Sequence, residues 1–62
     1  MIALRSLREN KNLSQIELAN KVNIKSNTLS QYETGKRKPN IETLKKLAKA
    51  LDCTVDELIR EN

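Results

Sequence analysis

The chain has no histidine, and only one cysteine, one glycine and one proline among its 62 residues. Without histidine there is no ligand set for a zinc site, and the lone Cys53 has no partner for an internal disulfide. There is no glycine-rich phosphate loop and no pair of acids set in an apolar pocket, so the usual apparatus of an enzyme is missing. No cofactor, no metal and no catalytic residue is expected. No apolar run is long enough to cross a bilayer, and the first residues lack the layout of a signal peptide. The sequence therefore reads as soluble and cytoplasmic, with no membrane partner and with a thiol suited to a reducing compartment. Linkers, internal repeats, low-complexity stretches and strand patterns are absent as well.

What remains is one small domain, 1–62, read as all α. A chain of this size buries roughly 60% of its unfolded surface, and its core rarely supplies more than about 3–5 kcal/mol. Close helix packing, dimerisation or a bound partner must supply the rest. The net charge is +4, and it is unevenly placed. Met1 to Lys49 holds eleven Lys/Arg against Glu9, Glu17, Glu33 and Glu42, a balance of +7, whereas Asp52 to Asn62 holds Arg60 against Asp52, Asp56, Glu57 and Glu61, a balance of −3. One part of the chain is suited to polyanions and the other is not.

Five helices follow from the apolar spacing. The first spans about Ile2 to Lys11, with Met1 at its edge, Leu4 and Leu7 inward and Arg5, Glu9 and Asn10 outward. The second opens at Ser14, where Glu17 three residues on completes a capping box. Leu18, Ala19 and Val22 share one face. Asn23 tolerates the left-handed backbone that ends a helix, and Ile24 dips back to the core. The third helix, about 26–33, buries Leu29 and Tyr32 and turns Ser26, Asn27, Ser30 and Gln31 outward. Gly35 ends it, and Lys36, Arg37 and Lys38 follow at once. Pro39 and Asn40 stop one element and cap the next, in which Ile41, Leu44, Leu47, Ala48 and Leu51 form an inward stripe. Lys45, Lys46 and Lys49 lie on its outer side as solubilising charges. Thr54 and Glu57 make a second capping box before a short fifth helix carrying Val55, Leu58 and Ile59. So small a domain has too few partners to bury all three, and these residues are read as a dimer surface.

The pieces LSQIELA (Leu13 to Ala19), NTLSQYETGKRKP (Asn27 to Pro39), IETLKKLAKAL (Ile41 to Leu51) and TVDEL (Thr54 to Leu58) occur in order and fill the chain. Together they resemble the lambda-repressor-like, Cro-type helix-turn-helix regulators. The resemblance implies a five-helix DNA-binding domain whose third helix enters the major groove. It implies base reading by Ser26, Asn27 and Gln31, with Lys25 and Ser30 as adjuncts and Thr28 packed on the scaffold. The carboxamides of Asn27 and Gln31 suit adenine. Phosphate contact is implied at the start of helix two, through the amides of Ser14, Gln15 and Ile16 and the Gln15 side chain. Thr34, Lys36, Arg37 and Lys38 grip the backbone from the other side. The resemblance also suggests that Arg8 pairs with Glu33, tying helices one and three together.

The chain departs from the family pattern at three helix ends. Asn12 and Asp52 stand where glycine is usual. Lys25 stands where Ser or Thr caps the recognition helix, leaving Ser26 as the nearest residue able to cap in its place. Cys53 replaces a small aliphatic residue and is read as packing.

The function implied is sequence-specific binding of double-stranded DNA by a small transcriptional regulator, a repressor acting as a homodimer on an operator with half-site symmetry. No sensor domain follows the fifth helix, so a signal would arrive through a regulatory protein partner, proteolysis or concentration. The alternative is a protein-interaction module such as the antitoxin of a toxin–antitoxin pair, with DNA binding secondary.

Overall fold

A computed structural model describes residues 2–60; the placement of Met1 at the edge of the first helix lies outside the described residues. Five helices follow one another: α1 (Ile2–Asn10), α2 (Gln15–Lys21), α3 (Ser26–Thr34), α4 (Ile41–Ala50) and α5 (Val55–Ile59). α2 and α5 begin with complete capping boxes. The Glu17 amide donates to Ser14 Oγ at 3.0 Å while the Ser14 amide donates to Glu17 Oε1 at 2.9 Å. The Glu57 amide donates to Thr54 Oγ1 at 3.1 Å and the Thr54 amide to Glu57 Oε1 at 3.2 Å. At α4 the Thr43 amide donates to Asn40 Oδ1. α3 differs, since Lys25 occupies the cap position with extended backbone and no side-chain bond, and Ser26 is already the first helical residue. Ser26 therefore does not replace Lys25 as cap, because its own backbone has entered the helix.

The bonds from the Ser14 amide and hydroxyl hold the Glu17 carboxyl below its ordinary range, with Lys21 adding a smaller pull. A carboxyl depressed by folding stabilises the fold above its unfolded pKa of about 4.3, and that contribution is lost as pH falls through the lower folded value.

The helix ends follow one plan. Asn12 (φ 57°), Asn23 (φ 59°) and Asp52 (φ 54°) all take left-handed backbone angles. At each of them two bonds close the helix behind. The Asn12 amide reaches the Glu9 carbonyl and the Leu13 amide the Arg8 carbonyl; Asn23 and Ile24 reach Asn20 and Ala19; Asp52 and Cys53 reach Lys49 and Ala48. This is the Schellman arrangement, in which the residue after the left-handed one packs back on the helix. Leu13, Ile24 and Cys53 do so, each half-buried against the core. Burial pushes the Cys53 thiol up from its ordinary value, with Glu57 and Asp52 adding to the effect, which favours the protonated form. Gly35 (φ 82°) ends α3, but the residue after it is Lys36, which has nothing apolar to bury. There the loop returns one residue later, through the Arg37 amide on the Gln31 carbonyl at 3.2 Å.

Leu4, Leu18, Leu29, Leu47, Leu51 and Leu58 are fully buried, with Ala19, Val22, Tyr32 and Ala48 completing the core. Burial of each such leucine is worth about 1.5–3 kcal/mol. α2 packs on α3, α1 on α3, and α5 lies against both α1 and α4. Two expectations need correction. Ile41 belongs to the apolar stripe of α4 yet is 63% exposed, because it is the first residue of the helix and its turn projects past the elements that cover Leu47 and Leu51. Leu58 is no part of an exposed surface, because α5 turns it into the space between α1 and α4. Val55 is half-buried against the same core, and only Ile59 of the three is exposed.

The left-handed angle at Asn23 gives the first prediction. Asn23→Gly should fold as well as the parent or gain a few tenths of a kcal/mol, whereas Asn23→Val should lose about 1 kcal/mol or more. Thermal melts of the two variants measure this, and an unchanged melting temperature for Asn23→Val would contradict the turn described.

Candidate nucleic-acid interface

The outer face of α3 is set by helical spacing. Asn27, Gln31 and Thr34, at i, i+4 and i+7, fall within about 60° of one another around the axis, and all three are exposed. Ser30 lies beside them and is half-buried, as is Ser26, which is rotated further toward the side of Glu33. Leu29 and Tyr32 occupy the opposite side and are buried, and Thr28 is half-buried between the two. Lys25 stands exposed just ahead of the first turn. The Asn27 and Gln31 carboxamides thus stand side by side, each with donor and acceptor capacity and no protein partner among the described side-chain bonds.

Lys36, Arg37 and Lys38 flank the far end of this stripe, all exposed and without an ion-pair partner among the described residues. The Gln31 carbonyl holds that loop in place, since it accepts both the Arg37 amide and the Thr34 hydroxyl, the latter at 3.3 Å. The Thr34 proton is therefore spent within the helix, and its oxygen is left as an acceptor.

At the start of α2 the structure changes the expected roles. The Ser14 amide is not free, since it donates to Glu17 Oε1, while the Ser14 hydroxyl oxygen accepts the Glu17 amide. Gln15 is half-buried rather than projecting freely, and its Nε2 donates to Glu33 Oε1 at 3.0 Å. Ile16 beside it is 63% exposed.

Behind the face lies a buried ionic group. Arg8 Nε donates to Glu33 Oε2 at 2.6 Å and Nη2 to Oε1 at 3.2 Å, while Nη1 donates to the Leu13 carbonyl at 2.8 Å. The Glu33 side chain is 4% exposed and that of Arg8 11%. The Glu33 bonds and charge hold the guanidinium charged, raising its pKa against the opposing effect of burial. Together with Gln15, these residues join α1, the α1–α2 turn, α2 and α3 at one point. Spacing in the sequence offered no route to the Gln15–Glu33 bond. The only available signal was that a buried carboxylate needs more donors than one guanidinium edge supplies.

Elsewhere, a concavity of about 350 Å³ is lined by Lys21, Lys46, Lys49 and Ala50, at the opposite end of α2 from Gln15. Among the described residues no group of His, Cys, Asp and Glu could hold a metal, and no helix is long and apolar enough to cross a membrane.

Comparison with known proteins gives a consistent picture. Residues 4–58 match the helix-turn-helix family model. The chain is 41% identical over 56 residues to the HTH-type transcriptional activator BcrR of Enterococcus faecalis, covering 90% of this chain and 28% of that protein. It is 37% identical over 59 residues to the cryptic phage CTXphi transcriptional repressor RstR of Vibrio cholerae, covering 95% of this chain and 53% of that one. The chain thus spans between about a quarter and a half of these relatives. The crystal structure of the clp gene regulator ClgR from C. glutamicum superposes with a TM-score of 0.84 at 36% identity, over 94% of this chain and 77% of that one.

The ion pair is open to a direct stability test. Removing one partner of a buried pair strands the other charge at a cost of about 3–5 kcal/mol, as much as a core of this size supplies. Glu33→Ala should therefore be largely unfolded at 25 °C. The double variant Arg8→Met/Glu33→Met, which strands nothing, should recover a cooperative melt by circular dichroism. A Glu33→Ala protein that melts like the parent would refute the account.

Proposed function

The chain belongs to the lambda-repressor-like helix-turn-helix family of transcriptional regulators, and on that premise we propose that it binds double-stranded DNA in a sequence-specific way, with α3 in the major groove. The observation that carries this reading is the exposed, uncharged stripe of Asn27, Gln31 and Thr34 on a short helix, flanked by three cations without an ion-pair partner among the described residues. The major groove admits one helix and displays a distinct donor and acceptor pattern for each base pair. Asn27 and Gln31 read base edges, with an expected preference for adenine. Ser26 and Ser30, at the margin of the stripe, and Lys25 ahead of it are adjuncts. Lys36, Arg37, Lys38 and the Gln15 side chain contact phosphates, which position the domain without reading sequence.

One reading helix covers only a few base pairs. The domain therefore acts as a homodimer on an operator of two half-sites about one helical turn apart, roughly 34 Å. Ile59 is the one exposed apolar residue of α5, so the dimer surface is narrower than its sequence pattern implies. Occupancy of a promoter site is enough for a repressor, and that is the role we assign. A protein-interaction module that has lost DNA binding is the outcome to be excluded, and a gel shift on DNA upstream of the gene does so.

Reading and gripping are separable by experiment on sites selected from random DNA. Gln31→Ala and Asn27→Ala should each cost about 1–3 kcal/mol on the selected site and much less on a scrambled duplex. Lys36→Ala should weaken both duplexes alike and flatten the slope of log affinity against log salt by about one per subunit. If the two amide variants leave the ratio of selected to scrambled affinity unchanged, α3 is not the reading element.

Assembly is tested by sedimentation with and without the selected duplex. Two chains per high-affinity site are expected, with Ile59→Glu reducing the stoichiometry or the cooperativity. A single chain per such site would exclude the two-fold arrangement.

A further inference from the structure

Beyond helping to satisfy a buried carboxylate, the Gln15–Glu33 bond sets the direction of the Gln15 side chain. Arg8 gives Glu33 two donors and Gln15 a third. A carboxylate only accepts hydrogen bonds, so Glu33 fixes which end of the Gln15 carboxamide faces it. The nitrogen must point inward, which leaves one N–H of Nε2 and the oxygen for the outside. A phosphate oxygen also only accepts, so that remaining N–H is the one side-chain donor Gln15 can offer it. Holding the side chain in this direction in advance removes the cost of ordering it on binding.

The charges matter as much as the direction. An uncompensated Glu33 one hydrogen bond away from Gln15 would repel an arriving phosphate. Arg8 cancels that charge at 2.6 Å.

We infer that Glu33 is a positioning residue for the DNA backbone: it anchors Gln15 so that its free N–H meets a phosphate, while Arg8 neutralises Glu33 and lets the phosphate approach. This rests on the DNA-binding reading above and adds a mechanical link to it. Glu33 lies in the last turn of the third helix, two residues after Gln31, so the grip on the phosphate is set by the same helix that reads the bases.

The test is a cycle of variants, read by binding to a duplex of about 20 base pairs of arbitrary sequence at low salt, because a phosphate contact is present on any DNA. Gln15→Met in the otherwise native chain should weaken binding about tenfold or more, the scale of one hydrogen bond to a charged group. In the Arg8→Met/Glu33→Met background, where Gln15 has lost its anchor, adding Gln15→Met should change affinity less than twofold. Circular dichroism establishes that each protein is folded. If the methionine pair does not fold, Arg8→Leu/Glu33→Leu serves as the background; Gln15 again has no carboxylate to meet, and the effect of Gln15→Met should again shrink. Equal losses in both backgrounds would show that Glu33 is structural only and would overturn the inference. A native chain that binds DNA but is indifferent to Gln15→Met would overturn it as well, while leaving the DNA-binding reading intact. A native chain that binds no duplex at any salt concentration would remove the reading itself.

Discussion

One buried carboxylate sets the relation of three helices. Glu33 lies almost wholly out of solvent and receives three donors, two from α1 and one from α2. A charge in such a place is tolerated only while every lone pair that faces the protein is used. Satisfying it fixes how α1 and α2 stand against α3. The Leu13 carbonyl takes the remaining face of the Arg8 guanidinium and brings in the turn between α1 and α2 as well. An apolar contact would permit these helices to slide by a fraction of an ångström at little cost. Three directed bonds at 2.6–3.2 Å do not.

The rest of the domain is arranged to leave that point undisturbed. Six leucines close the core beneath it, and three helix ends are finished by the same pair of backbone bonds with an apolar residue tucked back. The fourth end, after α3, breaks this plan. Gly35 is followed by cations instead of an apolar residue, and the loop is carried out beside the reading stripe while its backbone stays tied to the Gln31 carbonyl. The same physical problem, how to end a helix, is solved for packing in three places and for charge display in one.

Much of this was legible because it is local. The capping boxes at Ser14 and Thr54 need only four consecutive residues, and the left-handed turn at Asn23 needs only one residue of the right kind at the end of an apolar stripe. Arg8 and Glu33 stand 25 positions apart, and resemblance to a family, not spacing, suggested that they meet. Periodicity does not report burial. A stripe says which side of a helix is apolar, but not whether a neighbour covers its first turn, and Ile41 is exposed although it belongs to the stripe. Composition suggested that α5 could not bury all three of its apolar residues, and Ile59 is indeed exposed, but Leu58 is no dimer surface because the space between α1 and α4 takes it whole. At Ser14 the local rule for capping and the family rule for anion binding claim the same amide. The carboxylate three residues away takes it.

The packing of α5 against α1 has a consequence for how the domain holds together. These are the last and the first of the five helices, and Leu4 and Leu58 belong to one core. Helices this short are marginal by themselves in water. The core around Leu4 is therefore closed only when α5 is in place, so a break ahead of residue 58 opens it at the first helix as well as at the last.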